Sequence, residues 1–164
     1  MRKPESLKQL LLATVPGLDK SPERLALFID RGQIVGGNGR TLSFEYRYTL
    51  NLVVESFTGS LDRLMVPILA WIAEHQPELL GVPGAQPFTY QAEILDEESQ
   101  DISVMIDLRE PVIVAPKDGG GYAVSHPVQP PPQSLDHFEG VPSGAKLWQI
   151  FLDDTLLPMD APDG

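Results

Sequence analysis

The chain has 164 residues, is 42% hydrophobic and lacks cysteine, so we expect one domain with a hydrophobic core and exclude disulfides, thiolate metal ligands and cysteine nucleophiles. The formal net charge of −11 argues against independent affinity for nucleic acid, because lysine and arginine are what release the counterions of a polyanion. No apolar run approaches the roughly 20 residues of a bilayer span and the N-terminus lacks the pattern of a secretory signal, which predicts a soluble protein with no membrane partner that stays in the cytoplasm where it is made.

The first part of the chain predicts a helix followed by a β-meander. Apolar residues at three- and four-residue spacings predict an amphipathic helix over residues 4–15, ended by Pro16-Gly17. A compact apolar run predicts a strand from about Leu27. Residues 30–32 have the composition of a tight turn, so we expect a hairpin with a short strand at 33–35.

The strongest pattern in the sequence is a strict alternation over residues 42–55. It predicts a long strand with one face in a core and the other free to meet water or a partner. The apolar side carries Phe44, Tyr46, Tyr48, Leu50, Leu52 and Val54, and the polar side carries Ser43, Glu45, Arg47, Thr49, Asn51 and Glu55.

A second helix is expected directly after Ser60, which is placed to act as its N-cap. Apolar positions continue at helical spacing to about Ile72. Pro67 lies inside this pattern, where its ring and missing N–H disfavour a regular helix, so we expect a kink or a delayed start.

Two antiparallel strands follow, at residues 88–94 and 102–108, joined by an exposed acidic loop. Short edge pieces are expected at 111–114 and 122–124, on either side of a glycine-rich turn. Lys146 to Leu152 is apolar enough to form a late strand, followed by an acidic tail.

These elements predict an α/β fold of the α+β type: a mixed, mainly antiparallel sheet with two principal helices packed on it. Residues 1–126 are expected to form this single domain. Residues 127–164 are expected to form an extended, proline-rich C-terminal arm that contains the late strand.

No motif in the sequence indicates catalysis, a cofactor or a metal. The three histidines stand alone, without the spacing of a metal-binding pair. The acidic loop at 96–98 matches no calcium loop, and a solvated turn is the commoner case. The glycine-rich stretches lack the lysine and the following helix of a phosphate cradle. We therefore expect no enzyme activity.

The residues that remain as candidates belong to surfaces. Arg47 on the polar side of the long strand could pair with a carboxylate of another subunit, and pairing within its own sheet is an equal alternative. The late strand is apolar on both faces, so it must be buried in its own domain or against a neighbouring chain. The candidate subunit-interface residues are Glu45, Arg47, Asn51, Glu55, Trp148, Ile150, Phe151 and Leu152.

Several packing motifs, taken in their order along the chain, resemble the tail completion protein R family of contractile-tailed temperate phages. They occur at residues 3–7, 22–25, 28–30, 43–51, 66–71 and 76–80. The resemblance extends to about Leu157 and is weakest from Pro127 onward.

The resemblance implies a structural virion protein with a tail-terminator-like fold, located at the head-proximal end of the tail. By analogy with proteins in that position, we expect a ring of six copies that caps the tail tube and offers a surface for head joining. The implied partners are other copies of the chain, the tail tube protein, the sheath protein as a further candidate, and a head–tail connector protein. DNA would pass through the lumen without specific binding.

Four alternatives stay open on the sequence alone. The chain could be a neck or connector component that does not stop tube growth, or the cap of a headless tail particle. It could also be an assembly factor absent from the finished virion, or an enzyme with an unrecognised site.

Overall fold

The structure is a computed structural model, in which residues 1–37, 39, 41–127, 150–152 and 155–157 are described. Its elements in chain order are α1 (Lys3–Thr14), β1 (Leu25–Gly36), β2 (Phe44–Thr58), α2 (Asp62–His75), β3 (Thr89–Ile94), β4 (Ser99–Pro116), β5 (Tyr122–Ser125), β6 (Ile150–Leu152) and β7 (Thr155–Leu157). Short 3-10 turns lie at Pro22–Arg24, before β1, and at Pro77–Leu80, after α2.

Five strands form one sheet in the order β1-β2-β4-β3, and β5 pairs with the C-terminal part of β4. Each of these four pairings is antiparallel. The fold is therefore α+β, as predicted, with an antiparallel sheet in place of the expected mixed one. Among the described strands, β6 and β7 pair with each other in a separate two-stranded sheet.

The sheet has two chemically different faces, because successive side chains of a strand point to opposite sides. One face, the helix face, packs against α1 and α2 and forms the core together with them. The predicted alternation of β2 is confirmed, since four of its residues on this face are buried. The fully buried strand residues of the helix face are Leu50, Leu52, Val54, Ile102, Val104 and Ile106. The opposite face is called the outer face below.

The two helices bring leucine and isoleucine side chains onto the helix face. Leu7 and Leu11 of α1 and Ile68 of α2 are fully buried. Trp71 of α2 also lies in the core, and its indole Nε1 donates a hydrogen bond to Ser6 Oγ of α1 at 3.1 Å. This bond joins the two helices and gives the buried indole N–H of Trp71 a partner.

The start of α2 differs from one of the two outcomes expected for Pro67. The helix begins at Asp62 and continues through Pro67 to His75, so a delayed start is wrong. Leu61, and not the predicted Ser60, is the N-cap of α2, although the Ser60 hydroxyl accepts a hydrogen bond from the Asp62 amide at 3.3 Å.

The predicted hairpin at residues 30–32 is also wrong. β1 is one continuous strand of 12 residues, with a register irregularity between Ile29 and Arg31. Strand β2 is long enough to pair with β1 from Phe44 to Val54, so the extra residue is absorbed as a bulge and the chain does not reverse.

Strand β4 is longer than expected, because the piece predicted at 111–114 is part of it. Its 18 residues pair with β2 up to Val112, and Val114 pairs with Val124 of β5. The prediction of two antiparallel strands joined by an acidic loop is confirmed by the pairing of β3 with β4.

The C-terminal predictions are tested only in small part. Residues 128–149 lie outside the described residues, and with them most of the predicted arm. β6 falls inside the predicted late strand, whereas β7 lies where only an acidic tail was expected. The boundary at residue 126 stays a prediction. Within the described residues, no helix combines the length and the apolar character needed to cross a membrane.

Candidate interaction surfaces

The outer face of the sheet carries polar and charged side chains in rows that run across the strands. Residues directly opposite each other in an antiparallel pair point to the same face, so the register defines each row. Within each row the residues are named from β1 towards β3. The first two rows are Gln33, Arg47 and Arg109, and then Arg31, Thr49 and Asp107. The next two are Phe28, Asn51, Met105 and Thr89, and then Ala26, Val53, Ser103 and Gln91.

One end of the outer face is rich in arginine. Arg47 stands directly opposite Arg109, and Arg31 lies in the next row. Arg47 forms an ion pair with Glu45, two residues away on the same strand. This is the alternative in which Arg47 pairs within its own sheet, although about half of the arginine side chain stays exposed. Two arginines directly opposite each other repel, so this row destabilises an isolated chain.

The other end of the outer face is rich in carboxylates. Glu55 is exposed there, and Asp101 stands opposite Glu93. A bulge in β2 places Ser56 at φ 49°, and the Ser56 amide donates a hydrogen bond to Asp101 Oδ1 at 2.7 Å. The guanidinium of Arg24 donates to the backbone oxygens of Glu55 and Ser56, so one positive charge also lies at this end.

Asn51 lies in the middle of the outer face but is buried by its neighbours. Only 5% of its surface is exposed, and its side-chain amide donates a hydrogen bond to Asp30 Oδ2 at 2.9 Å. Asp30 is the residue skipped by the register at the β1 bulge. Asn51 therefore supports the sheet from within, whereas Arg47 and Glu55 on the same strand are exposed.

In the part of the chain that the structure describes, both edges of the five-stranded sheet are open. β1 has no partner on its outer side, and β3 pairs only with β4 among the described residues. All six residues of β3 are exposed, including Tyr90 and Ile94, which is 78% exposed. An open edge with exposed apolar side chains can add a strand from another chain.

The C-terminal candidates are placed only in part. Trp148 lies outside the described residues. Ile150, Phe151 and Leu152 form β6, which pairs with β7 and, within the described residues, with no strand of the main sheet. An isolated two-stranded hairpin is marginally stable in water, so this small sheet requires further contacts.

The acidic loop between β3 and β4 is a solvated turn. Asp96 accepts hydrogen bonds at 2.8 Å from the Glu98 and Ser99 amides and from the Ser99 hydroxyl. These hydrogen bonds lower the pKa of Asp96, and the bond from the Glu98 amide contributes most. A shallow open groove of about 530 Å³ lies beside this loop, lined by Thr58, Gly59, Ile94 and residues 96–100.

The histidines can be followed only in part. His75 stacks on the Trp71 ring, with 4.7 Å between ring centroids, and its Nδ1 lies 3.1 Å from the Trp71 carbonyl oxygen. His137 lies outside the described residues. Within the described part of the chain, no three His, Asp or Glu side chains are grouped as a metal site requires.

A buried polar cluster was missed from the sequence. Glu110 of β4 lies on the helix face, is 5% exposed, and accepts hydrogen bonds from the Arg2 amide at 2.7 Å, the Lys3 amide at 3.3 Å and the Tyr48 hydroxyl. α1 has no side-chain cap of its own, so Glu110 caps it from 108 residues away. The signal was a carboxylate in the apolar phase of β4, past the point where the strand was expected to end.

Lys3 and Gln76 extend this cluster. Lys3 Nζ donates to Gln76 Oε1 and to the His75 carbonyl oxygen, each at 2.6 Å. The fully buried Gln76 also accepts a hydrogen bond from the Arg109 amide at 3.2 Å. This bond gives a partner to a backbone amide of β4 that lies beyond the end of β3. Burial lowers the pKa of Lys3. Burial, and then the bond to Glu110, raise the pKa of the Tyr48 hydroxyl well above its ordinary value.

Comparison with known proteins gives a consistent result. Residues 1–130 match the family model of the P2 phage tail completion protein R (GpR). The chain is 40% identical, over 137 residues, to the protein called "Tail completion protein R" of Escherichia phage P2. This match covers 82% of the chain and 88% of the phage protein. No solved structure matches the chain significantly.

Proposed function

Because the chain belongs to the P2 phage tail completion protein R family, we propose that it completes the tail at its head-proximal end, as a ring of six copies on the last ring of the tube. The family is one of structural phage tail proteins and not of enzymes, and the predicted resemblance is confirmed. The ring, the capping of the tube and the surface offered for head joining are the parts that we propose.

The physical reason for a cap lies in the symmetry of a tube. A tube grows by contacts between unlike surfaces that do not close, so its last ring always exposes the surface that would bind the next one. A protein that stops growth must cover this surface and present a different one. It needs a rigid body with several free surfaces and no active site.

The observation that carries the proposal is how much of this sheet is left without a partner. One face is filled by α1 and α2, while the outer face and the edges at β1 and β3 have no strand or helix against them among the described residues. In the same part of the chain, β6 and β7 supply a further element that pairs with no strand of the main sheet. We propose that the open edges and this C-terminal element contact neighbouring copies, and that the arginine end of the outer face contacts the tail.

The charge of the chain suits a ring around DNA. With a net charge of −11, a lumen lined by this protein would repel the phosphate backbone and let DNA pass without binding it. The tube protein and the head–tail connector are the proposed partners, and the sheath protein is a further candidate.

The deciding experiment images tails from a lysate that lacks this chain, with a complemented lysate as control. Overlong or uncapped tubes would establish a terminator. Tubes of normal length with closed ends that fail to join heads would instead indicate a connector. The protein should also be present at a fixed ratio in purified tails, and its absence from them would leave an assembly factor as the explanation.

A further inference from the structure

On the outer face of the sheet, two side chains of opposite charge lie at symmetric positions along β2. Arg47 lies four residues before Asn51 and Glu55 lies four residues after it. At the rise of an extended strand, each charge is about 13 Å from the central residue. The strand therefore carries a positive and a negative side chain at equal distances from its middle.

The same spacing recurs on the neighbouring strand. In β4, Asp101 and Arg109 lie four residues on either side of Met105. Met105 is the register partner of Asn51, and Arg109 is the partner of Arg47. Both strands thus have their positive side chain at one end of the sheet and their negative side chain at the other, about a common central row.

We propose that the outer face binds the outer face of a second copy of this chain about a two-fold axis, which runs across the strands at the Asn51–Met105 row. This rotation reverses the strand direction. It places Arg47 over Glu55 of the second copy and Arg109 over its Asp101, and the symmetry repeats both contacts. The proposal goes beyond the tail function, because it concerns the chain before it reaches a tail.

The central row has the composition that such a contact needs. Phe28 is on the outer face in this row and is 47% exposed, although it is a large apolar side chain. Met105 is half-buried beside the buried Asn51. On the axis each of these residues meets its own copy, so an apolar centre is flanked by charged ends, as in other protein interfaces.

Sheet twist is compatible with these contacts. Two sheets packed face to face cross at about 30°, which displaces a charge about 13 Å from the axis by roughly 6 Å. The displacement is little more than one strand spacing. Because two adjacent strands carry the same sign at each end, an arginine that shifts by one strand still meets a carboxylate.

The charges of the outer face favour a second copy of the chain over a partner that is uniformly negative. A nucleic acid or a uniformly acidic protein would match the Arg47 and Arg109 end but would be repelled by Glu55 and Asp101. Glu45 and Asp107 reduce the charge at the basic end, and Arg24 reduces it at the acidic end. The footprint of four strands is about 500 Å² per copy, small for a stable dimer, so we expect a weak association.

The first test uses the absence of cysteine from the sequence. In the full-length protein, Thr89→Cys places a thiol on the proposed axis, at the exposed end of the central row, whereas the control Gln33→Cys places one on the same face about 26 Å from its own copy. Packed sheets are about 10 Å apart, too far for a disulfide, so a short bis-maleimide is the probe. Thr89→Cys should give a cross-linked dimer and Gln33→Cys should not. Equal cross-linking of the two, or none by Thr89→Cys, would overturn the two-fold arrangement.

The second test exchanges the charges and measures the dimer constant of the full-length protein by sedimentation. Arg47→Glu alone and Glu55→Arg alone should each weaken association about tenfold, because each creates two like-charge contacts per dimer. The double variant should return to within about threefold of the original protein. An equimolar mixture of the two single variants should also associate.

The outcomes separate this inference from the proposed tail function. A protein that stays monomeric at high concentration in both low and moderate salt, or a double variant as weak as the single ones, would refute the dimer. The tail function is tested separately, by the length of tubes made without the chain. Neither of these two results bears on that length.

Discussion

Replacing Glu110 by glutamine is expected to destabilise the fold by about 2 to 3 kcal/mol, because three donors converge on its buried carboxylate. A hydrogen bond to a charged group contributes roughly 1.5–3 kcal/mol, and glutamine keeps one acceptor while turning an N–H group towards the other donors. The carboxylate also lies at the positive end of the α1 dipole, which adds to its effect. For a chain of this size the loss corresponds to a melting temperature lower by about 5 to 10 °C.

The assay is urea and thermal unfolding of the full-length protein, followed by circular dichroism. Tyr48→Phe removes one donor to this buried carboxylate and should cost about 1.5 kcal/mol. In a double-mutant cycle, the two substitutions should show a coupling energy of about 1 kcal/mol or more, since they share one bond. Glu93→Gln, on an exposed strand, is the matched control and should change stability by less than about 0.5 kcal/mol.

The result that would refute this reasoning is a Glu110→Gln variant as stable as the Glu93→Gln control. Hydrogen exchange gives a second, local readout. The amides of α1 should lose protection in Glu110→Gln before those of β2 do, because the carboxylate joins the start of α1 to the sheet.

Three further predictions concern pH, packing and assembly. The pKa of Tyr48 is raised in the folded chain, so above the ordinary value of 10.0 the unfolded state loses this proton first and stability falls as pH rises; Tyr48→Phe should flatten that slope in unfolding measured from pH 9 to 11. Ile68→Ala removes a fully buried side chain and should cost about 2 to 5 kcal/mol in urea unfolding, against little change for Ile94→Ala on the exposed β3. Arg47→Glu, and separately truncation before Lys146, should block joining of heads to tails while the chain stays folded, and normal infectious particles from both variants would contradict the surface assignment.

The repeating parts of this fold could be predicted from the sequence because they depend on local pattern. The alternation of β2 and the spacing of leucines in α1 require nothing from the rest of the chain. The turn expected at residues 30–32 failed because its neighbour decided the outcome. A long β2 holds β1 extended past Asp30, and the energy of paired backbone groups exceeds the local turn preference.

The candidate surface could be predicted by position but not by accessibility. Arg47, Asn51 and Glu55 all lie on the outer face, as the period of two required. Asn51 is nevertheless buried, and its side-chain amide donates a hydrogen bond to Asp30. That bond depends on a bulge, which no local pattern indicated. Glu110 was missed for a similar reason, because its partners lie at the opposite end of the sequence.

The two proposed assemblies make opposite demands on the outer face. A ring on a tube is polar, so every copy has the same orientation, whereas a two-fold contact reverses the orientation of one copy. The face cannot serve both at once, so a dimer must open before the chain binds a tail. Arg47→Glu tests this directly when dimerisation and head joining are measured on the same variant. Loss of both would mean that the dimer covers the surface used on the tail, and a monomeric variant that still joins heads would assign the face to the free protein alone.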